Sequence, residues 1–470
     1  MENSIQIQIE KALNIDFVFD IKRRPVILWG KEGFLTYIIG YTDSYLTERI
    51  LARLMEIPEE VGKDIRDMDE LYQKCVPFGS AEATKDPAFA AEEILRGSAS
   101  LTLSGMDDIL LLDLRFFPVR GIEEPEKDRT LRGPHIGTNE SLLSNLVQIR
   151  RLIRSPGLKT ERFVLGKEIK NEVALLSLEG KADEKLVEKV REKLENCRVK
   201  NLSMTQESLS GILFPRKGLG ILNPFPRARF TERPDVIAAS LMEGKIAIIC
   251  DNTPSVLLLP QSLFDFFEET DDYYYPPLTA SYLRIVRALV FIGSILIIPL
   301  WLYLVKLENV LPTDLNFLKA KDPFTVPLFL QFLIIEFAID GLKMASLNTP
   351  TTLSGSFSVI GGLLLGEFAV KSGWFVPQTI LYSAFTGIAN FIPTSIELAY
   401  SFKFMRITLI LLVEFFGLWG LVSGILFWIL ILSFTKGNLG KSYLYPFIPF
   451  DRRGIQKILF RTRWGREREK

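Results

Sequence analysis

Four carboxylates, Glu336, Glu367, Glu397 and Glu414, stand within or at the ends of stretches dominated by Leu, Ile, Phe and Val. An ionised side chain in hydrocarbon costs about 3 kcal/mol or more and persists where it faces other protein or water, so each is a candidate position on a polar path or relay. The alternative is local neutralisation. Asp340 and Lys343 lie three residues apart, Glu367 and Lys371 four apart, and Glu397 is close to Lys403; residues three and four apart meet on one helix face. Glu414 has no basic residue within a turn, the nearest being Arg406 two turns earlier. It is the carboxylate most open to a functional reading. Asn390-Phe391-Ile392-Pro393-Thr394 is expected to break a helix at bilayer depth, freeing carbonyls that must meet protein or water; a simple proline kink is the other reading. Glu336, Asn390, Pro393, Glu397 and Glu414 are therefore the candidate positions on an ion or solute path; if several copies packed side by side, a ring of such carboxylates would attract cations and repel anions. Gly361, Gly362 and Gly366 read as a small-residue face for close helix contact.

Catalytic chemistry is not marked anywhere. There is no GxxxxGK[ST], GxGxxG, HExxH or GxSxG, and Gly437-Asn438-Leu439-Gly440-Lys441-Ser442 imitates only the end of a phosphate loop, without its leading glycine or preceding strand. Cys75, Cys197 and Cys250 show no CxxC spacing and read as buried small hydrophobes. The single histidine, His135, cannot build a multi-His metal site. The expectation is no enzyme, no cofactor and no metal. The chain carries 56 basic and 56 acidic residues, a balance that argues against a nucleic-acid partner, whose affinity rests on excess Lys and Arg meeting phosphates.

The elements that hold these residues fall into two kinds. About 280 charged, mixed residues precede Arg284; after it come the apolar stretches Ala288–Val305, Phe324–Ile339, Gly355–Val370, Trp374–Tyr400 and Ile407–Phe434. About 20 apolar residues in a helix cross a hydrocarbon core of about 30 Å. Arg284 and Arg287 at the entry, and Lys441 with the basic tail Asp451–Lys470 at the exit, mark both flanks as cytoplasmic and call for an even number of crossings. Four spans plus one re-entrant or interfacial helix are expected, with Phe324–Ile339 the non-crossing piece and Gly355–Val370 the alternative. Met1–Asp20 lacks the basic and apolar regions of a cleavable signal peptide.

The soluble half reads as mixed α/β in two pieces. Pro25–Trp29, Leu35–Tyr41 and Ile109–Phe117 are strand-like, and Tyr45–Met55 is helical. Leu142, Leu143, Leu146, Ile149 and Ile153 form the stripe of a helix from about Asn139 to Ile153. Further on, Phe163–Lys167 and Val173–Leu178 are strands, Glu184–Glu195 an amphipathic helix, and Lys245–Ile249 and Val256–Leu259 a strand pair around Asp251–Pro254. Neither piece shows a fixed-period repeat. The fold class is α+β: two small α/β cytoplasmic subdomains, residues 1–155 with a linker and 156–283, then an all-α polytopic membrane domain over 284–435 and a basic cytoplasmic tail over 436–470.

Arg120-Gly121-Ile122-Glu123-Glu124-Pro125, then Arg132-Gly133-Pro134, Gly137, Glu140, Asn145 and Arg150-Arg151, resembles the signature of the GerA family of spore germination receptor A subunits. Thr231-Glu232-Arg233-Pro234-Asp235-Val236, Glu243-Gly244 and Asp251-Asn252-Thr253-Pro254 resemble a second block of that family. Within it, Pro327–Phe332, Glu336, Asp340–Ala345, Asn348-Thr349-Pro350, Phe375-Val376-Pro377 and Ile448-Pro449-Phe450 are most similar to the stage V sporulation protein AF branch. Thr138, Lys343 and Asn348 depart from the usual pattern, which limits transfer of individual residue roles. The resemblance implies a multi-pass protein of the inner spore membrane, active in germination, whose homo-oligomeric membrane domains conduct monovalent cations. It implies membrane lipid and other germination membrane subunits as partners. Arg120, Glu124, Pro125, Arg132 and Gly133, with Glu232, Arg233 and Asp235, are expected to couple the two soluble pieces; ligand binding by the loop is the other reading. A non-conducting scaffold that recruits germination proteins is the competing function. A permease is less favoured, since the five unequal segments show no inverted repeat.

Overall fold

The computed structural model describes residues 4–76, 80–115, 130–168, 170–197, 205–216, 218–307, 319–320, 324–348, 369–435 and 442–460. They form two compact units, one of Met1–Pro215 with Ala228–Pro260, the other of Arg216–Arg227 with Gln261–Lys470.

The first unit opens with helix α1 (Ser4–Leu13) and the hairpin β1 (Ile21–Leu28) and β2 (Lys31–Ile38). Trp29 (φ 52°) and Gly30 (φ 75°) are both left-handed, as a two-residue turn matching the strand twist requires. Helices α2 (Ser44–Glu56), α3 (Glu59–Lys63) and α4 (Met68–Cys75) lead to β3 (Ala81–Thr84), α5 (Pro87–Leu95), β4 (Ala99–Leu103) and β5 (Ile109–Leu112). The antiparallel sheet has the order β1-β2-β4-β5-β3. Because strand side chains alternate, the run Ile109–Leu112 feeds both faces. Leu110 and Leu112 join Ile50, Leu54, Met68 and Leu71 of α2 and α4, while Ile109 and Leu111 join Ile9, Leu13, Ile94 and Leu95 of α1 and α5. Helices cover both faces, which is why β5 is apolar throughout instead of alternating.

After α6 (Leu142–Leu152) a second sheet follows: β6 (Leu158–Leu165), β7 (Asn171–Leu178), α7 (Glu184–Glu195), α8 (Thr205–Leu213), β8 (Arg229–Thr231), α9 (Pro234–Met242), β9 (Ile246–Cys250) and β10 (Val256–Leu259). Its order, β6-β7-β9-β10-β8, is the same path traced again. One constant offset carries Thr84 onto Thr231, Pro87 onto Pro234, Ala91 onto Ala238, Gly97 onto Gly244, and the starts of β4 and β5 onto those of β9 and β10. Gly97 (φ 106°) and Gly244 (φ 87°) each end the proline-initiated helix in a left-handed conformation, the usual role of glycine there. The two subdomains are a structural duplication, a relation between the two pieces that the sequence reading did not draw. Few side chains are shared and the leading hairpins sit at a different spacing, so the period is lost outside this stretch. The expected boundary near residue 155 also moves: Leu142, Leu146, Ile149 and Ile153 of the α6 segment pack in the core of the second sheet.

In the second unit α10 spans Pro277–Lys306, seven residues earlier than the expected start of the membrane domain, followed by α11 (Leu328–Asn348), α12 (Pro377–Ala389), α13 (Ile396–Phe434) and α14 (Arg452–Leu459). By length and composition α10 and α13 are apolar enough to cross a membrane. At about 1.5 Å per residue a straight α13 would measure about 58 Å, nearly twice a hydrocarbon core. It is not straight. Gly417 (φ 57°, ψ −131°) breaks it, and a Cβ on Gly420 would lie 1.9 Å from the Leu412 carbonyl oxygen while one on Gly424 would lie 2.6 Å from Leu409 Cδ2. The helix folds back on itself, so Ile407–Phe434, read as one apolar stretch, is divided between two arms, 396–416 and 418–434. The break expected at Asn390–Thr394 is present: Asn390 caps α12, and the Ser395 hydroxyl accepts from the Leu398 N–H to start α13. Helix α11 has 21 residues, about 31 Å, longer than the re-entrant piece expected at Phe324–Ile339. Gly355–Val370 lies almost wholly outside the described residues, with Glu367, Gly361, Gly362 and Gly366.

Candidate functional site

Four charged residues of the apolar helices, Glu336, Asp340, Lys403 and Arg406, meet in one place. Glu336 on α11 and Arg406 on the first arm of α13 are both buried, with Arg406 Nε donating to Glu336 Oε1 at 2.7 Å. Lys403, one turn earlier on α13, lies 3.3 Å from Glu336 Oε2, donates to the Glu336 carbonyl at 2.8 Å and pairs with Asp340. Arg406 Nη1 donates to the Ser294 carbonyl of α10 at 2.9 Å. Three helices are thereby tied by one network. Its energetics follow from burial: removing Glu336 takes away the carboxylate that the fully buried Arg406 pairs with, whereas removing Arg406 leaves Glu336 with Lys403. Lys343 points elsewhere, over the Phe391 ring at 4.3 Å. The neutralisation foreseen along one helix is in fact supplied across helices, by Lys403 and Arg406.

A second polar feature went unread in the sequence. Thr379, Ser383, Thr386 and Asn390 repeat at four, three and four residues on α12, one helix face. The first three are buried, and Gln331 of α11 accepts from the Thr379 hydroxyl at 2.9 Å and from the Val376 N–H at 3.1 Å. The spacing was visible, yet short hydroxyl side chains barely dent an apolar run.

The sequence-selected path residues do not share one level. Glu336 is in the network; Asn390 and half-buried Pro393 form the turn between α12 and α13; Glu397 is exposed in the first turn of α13. Glu414 lies 17 residues further along, about 26 Å at helical rise, where Lys306 at the end of α10 pairs with its carboxylate at 3.0 Å. It was expected to stand without a basic partner; the partner comes from another helix. Arg284 and Arg287, read in the sequence as entry-side charge marking a cytoplasmic flank, are buried against Asp272, at 3.1 and 3.0 Å, and Arg287 also holds Glu269 at 2.9 Å.

In the first unit the family-like residues converge on the linker before α6. Arg233 is buried, grips Asp235 through two hydrogen bonds of 3.0 and 2.7 Å, and reaches back to the Thr130 hydroxyl at 2.6 Å and the Pro134 carbonyl at 3.1 Å. Glu232 accepts from the Ser255 hydroxyl at 2.9 Å, and its carbonyl accepts from the Thr138 N–H at 2.8 Å. Thr138, a departure from the family pattern, uses its hydroxyl to reach the Pro254 carbonyl. Asp251 accepts from the Leu142 N–H at 3.1 Å, and the Asn252 N–H donates to the Glu140 carbonyl at 2.8 Å. Arg132 and Gly133 are exposed in this linker; Arg120, Glu124 and Pro125 lie outside the described residues. The two sheets are joined by a residue that no motif marked: Asp20, buried, accepts from Arg150 Nη2 at 3.0 Å and from the Thr160 hydroxyl at 2.6 Å, with Arg150 Nε 2.8 Å from its other oxygen.

The family described as Bacillus/Clostridium GerA spore germination protein matches residues 8–470. Stage V sporulation protein AF of Bacillus subtilis (strain 168) is 30% identical over 444 residues, covering 94% of this chain and 89% of that protein. Spore germination protein KA of the same organism is 30% identical over 432 residues, 91% of this chain and 78% of that one. The crystal structure of the N-terminal domain of the A subunit of the Bacillus megaterium spore germinant receptor GerK3 covers 54% of this chain and 92% of its own, at 24% identity and a TM-score of 0.41. Since the match runs through both sheets, the linker seam and the apolar helices with their charged network, the chain belongs to the GerA family of spore germination proteins.

Proposed function

We propose that this chain is an A-subunit-like protein of the inner spore membrane that assembles with copies of itself and with other germination membrane subunits, and that it forms or gates a path for monovalent cations. The large N-terminal unit and the basic tail face the cytoplasm in this reading. The observation that carries it is the set of polar groups among the apolar helices: buried Gln331 and Glu336 with half-buried Asp340 on α11, and buried Thr379, Ser383 and Thr386 on α12, where Gln331 meets Thr379. Groups so costly in hydrocarbon persist where a bundle uses them. Glu336, held by Arg406 and Lys403, acts as the closed state's lock, and Glu397, in the first turn of α13, is exposed where another copy can approach it.

The second reading is a non-conducting scaffold, favoured by the pairing of Glu336 and Glu414 within one chain. Cation flux from liposomes holding the purified chain, with and without partner subunits, separates the two. Flux that falls about fivefold in correctly assembled Glu397→Gln or Glu414→Gln supports a carboxylate-lined path. Assembly of parent and variants without flux assigns the scaffold.

A further inference from the structure

We propose that the second unit carries a collar that lies on an anionic lipid surface, built from residues 218–227 of the inserted segment and from residues 443–460. The proposal rests on the reading of the apolar helices as membrane-embedded, and it concerns no ion path. Ile221, Leu222, Phe447, Ile448, Phe450 and Phe460 are all exposed, Leu222 and Phe450 by 75% and 74%. Large apolar side chains gathered outside the long helices mark an interaction surface.

Their depth is given by the helix ends. Asn223 donates to the Thr435 hydroxyl at 2.6 Å, and Thr435 caps the last arm of α13. The Phe225 ring packs at 6.0 Å from Trp428 and 6.1 Å from Tyr443. The Leu263 N–H donates to the Tyr443 carbonyl at 2.9 Å, the Phe264 ring packs tilted against Phe447 with centroids 4.9 Å apart, and the Tyr445 hydroxyl donates to Asp451 at 2.6 Å. Near the start of α10, Arg284 reaches the Ile458 carbonyl of α14 at 3.4 Å. The apolar row thus sits where α10 begins and α13 ends, the level at which amphipathic segments bury an apolar face about 5–10 Å into the headgroup region.

Charge selects the lipid. Arg452 is exposed beside the row, and from Arg452 to Lys470 the sequence holds eight basic residues against Glu467 and Glu469. Such a cluster next to a membrane is drawn to anionic headgroups. A second copy of the same surface would bring like charges together, which disfavours it as the occupant.

The test uses the full chain in nanodiscs, with Cys75, Cys197 and Cys250 replaced by Ala and a single environment-sensitive dye on Leu222→Cys, Phe450→Cys or, as a control in the first unit, Lys189→Cys. Dye at 222 and 450 is expected to be quenched at least about twofold more than the control by a lipid carrying a shallow nitroxide, with quenching that rises with the anionic fraction. Quenching no greater than the control overturns the proposal, and so does a blue-shifted dye that no lipid nitroxide reaches, which assigns the face to protein. The readout is independent of conduction, so it stands or falls apart from the flux result.

Discussion

Buried arginines organise this molecule, and Arg150 is legible only through its partner. Arg150 falls in a family-like block, whereas Asp20 has no motif around it, yet the pair joins the two sheets. Deleting one charge of a buried pair costs about 3–5 kcal/mol, while replacing both by apolar groups is often nearly neutral. Arg150→Leu is therefore expected to lower the thermal midpoint of the sheet signal in circular dichroism more than the double variant Asp20→Leu/Arg150→Leu does. A double variant worse than either single one would show that the pair is not a buried unit. Cys250 offers a second check, since burial pushes its thiol up to about 12 and only the thiolate is nucleophilic. At pH 8 a maleimide should label the half-exposed Cys197 in the folded chain, and Cys250 only after denaturant is added. Rapid labelling of Cys250 without denaturant would mean that the second sheet opens.

Among the helices, glycine decides what hydropathy leaves open. The run from Ile396 to Phe434 has no polar interruption strong enough to announce a turn, and Gly417 looks like any membrane-helix glycine. Its φ/ψ pair is nonetheless one that side chains avoid, at a cost of about 1–3 kcal/mol, and Gly420 and Gly424 remove the side chains that would keep the arms apart. Leu409→Cys/Gly424→Cys should form a disulfide readily under mild oxidation, because the fold-back brings the two positions into contact; in a straight helix they would stand about 22 Å apart. Absence of that crosslink in a protein whose free thiols are reactive would rule the hairpin out. Gly420→Val is expected to reduce the yield of monodisperse protein sharply, since its Cβ alone would overlap the Leu412 carbonyl. Strand and helix positions in the first unit were far easier to read: Glu184–Glu195 was anticipated to the residue, and the β9–β10 pair nearly so. Amphipathic spacing writes such elements directly into the local sequence.

For the molecule as a whole, the division into a charged module and an apolar one was plain from composition, because hydrocarbon-sized apolar stretches have few other uses. The boundary was not. Arg216–Arg227 belongs to the second unit although first-unit chain flanks it on both sides, and the duplication of the sheets shows only when strand orders are compared. Family membership was equally legible, since the Arg/Glu/Pro blocks of the linker and the Thr231–Val236 segment are specific in order and spacing. What the sequence determined by itself are properties set by neighbours along the chain: periodicity, helix starts, apolar length and the presence of charge among apolar residues. Only the tertiary structure decided which charges meet, as Glu336 with Arg406, Glu414 with Lys306 and Asp20 with Arg150 do. Their partners lie 70, 108 and 130 residues away, and an ion pair depends on distance through space, which one chain read locally does not contain.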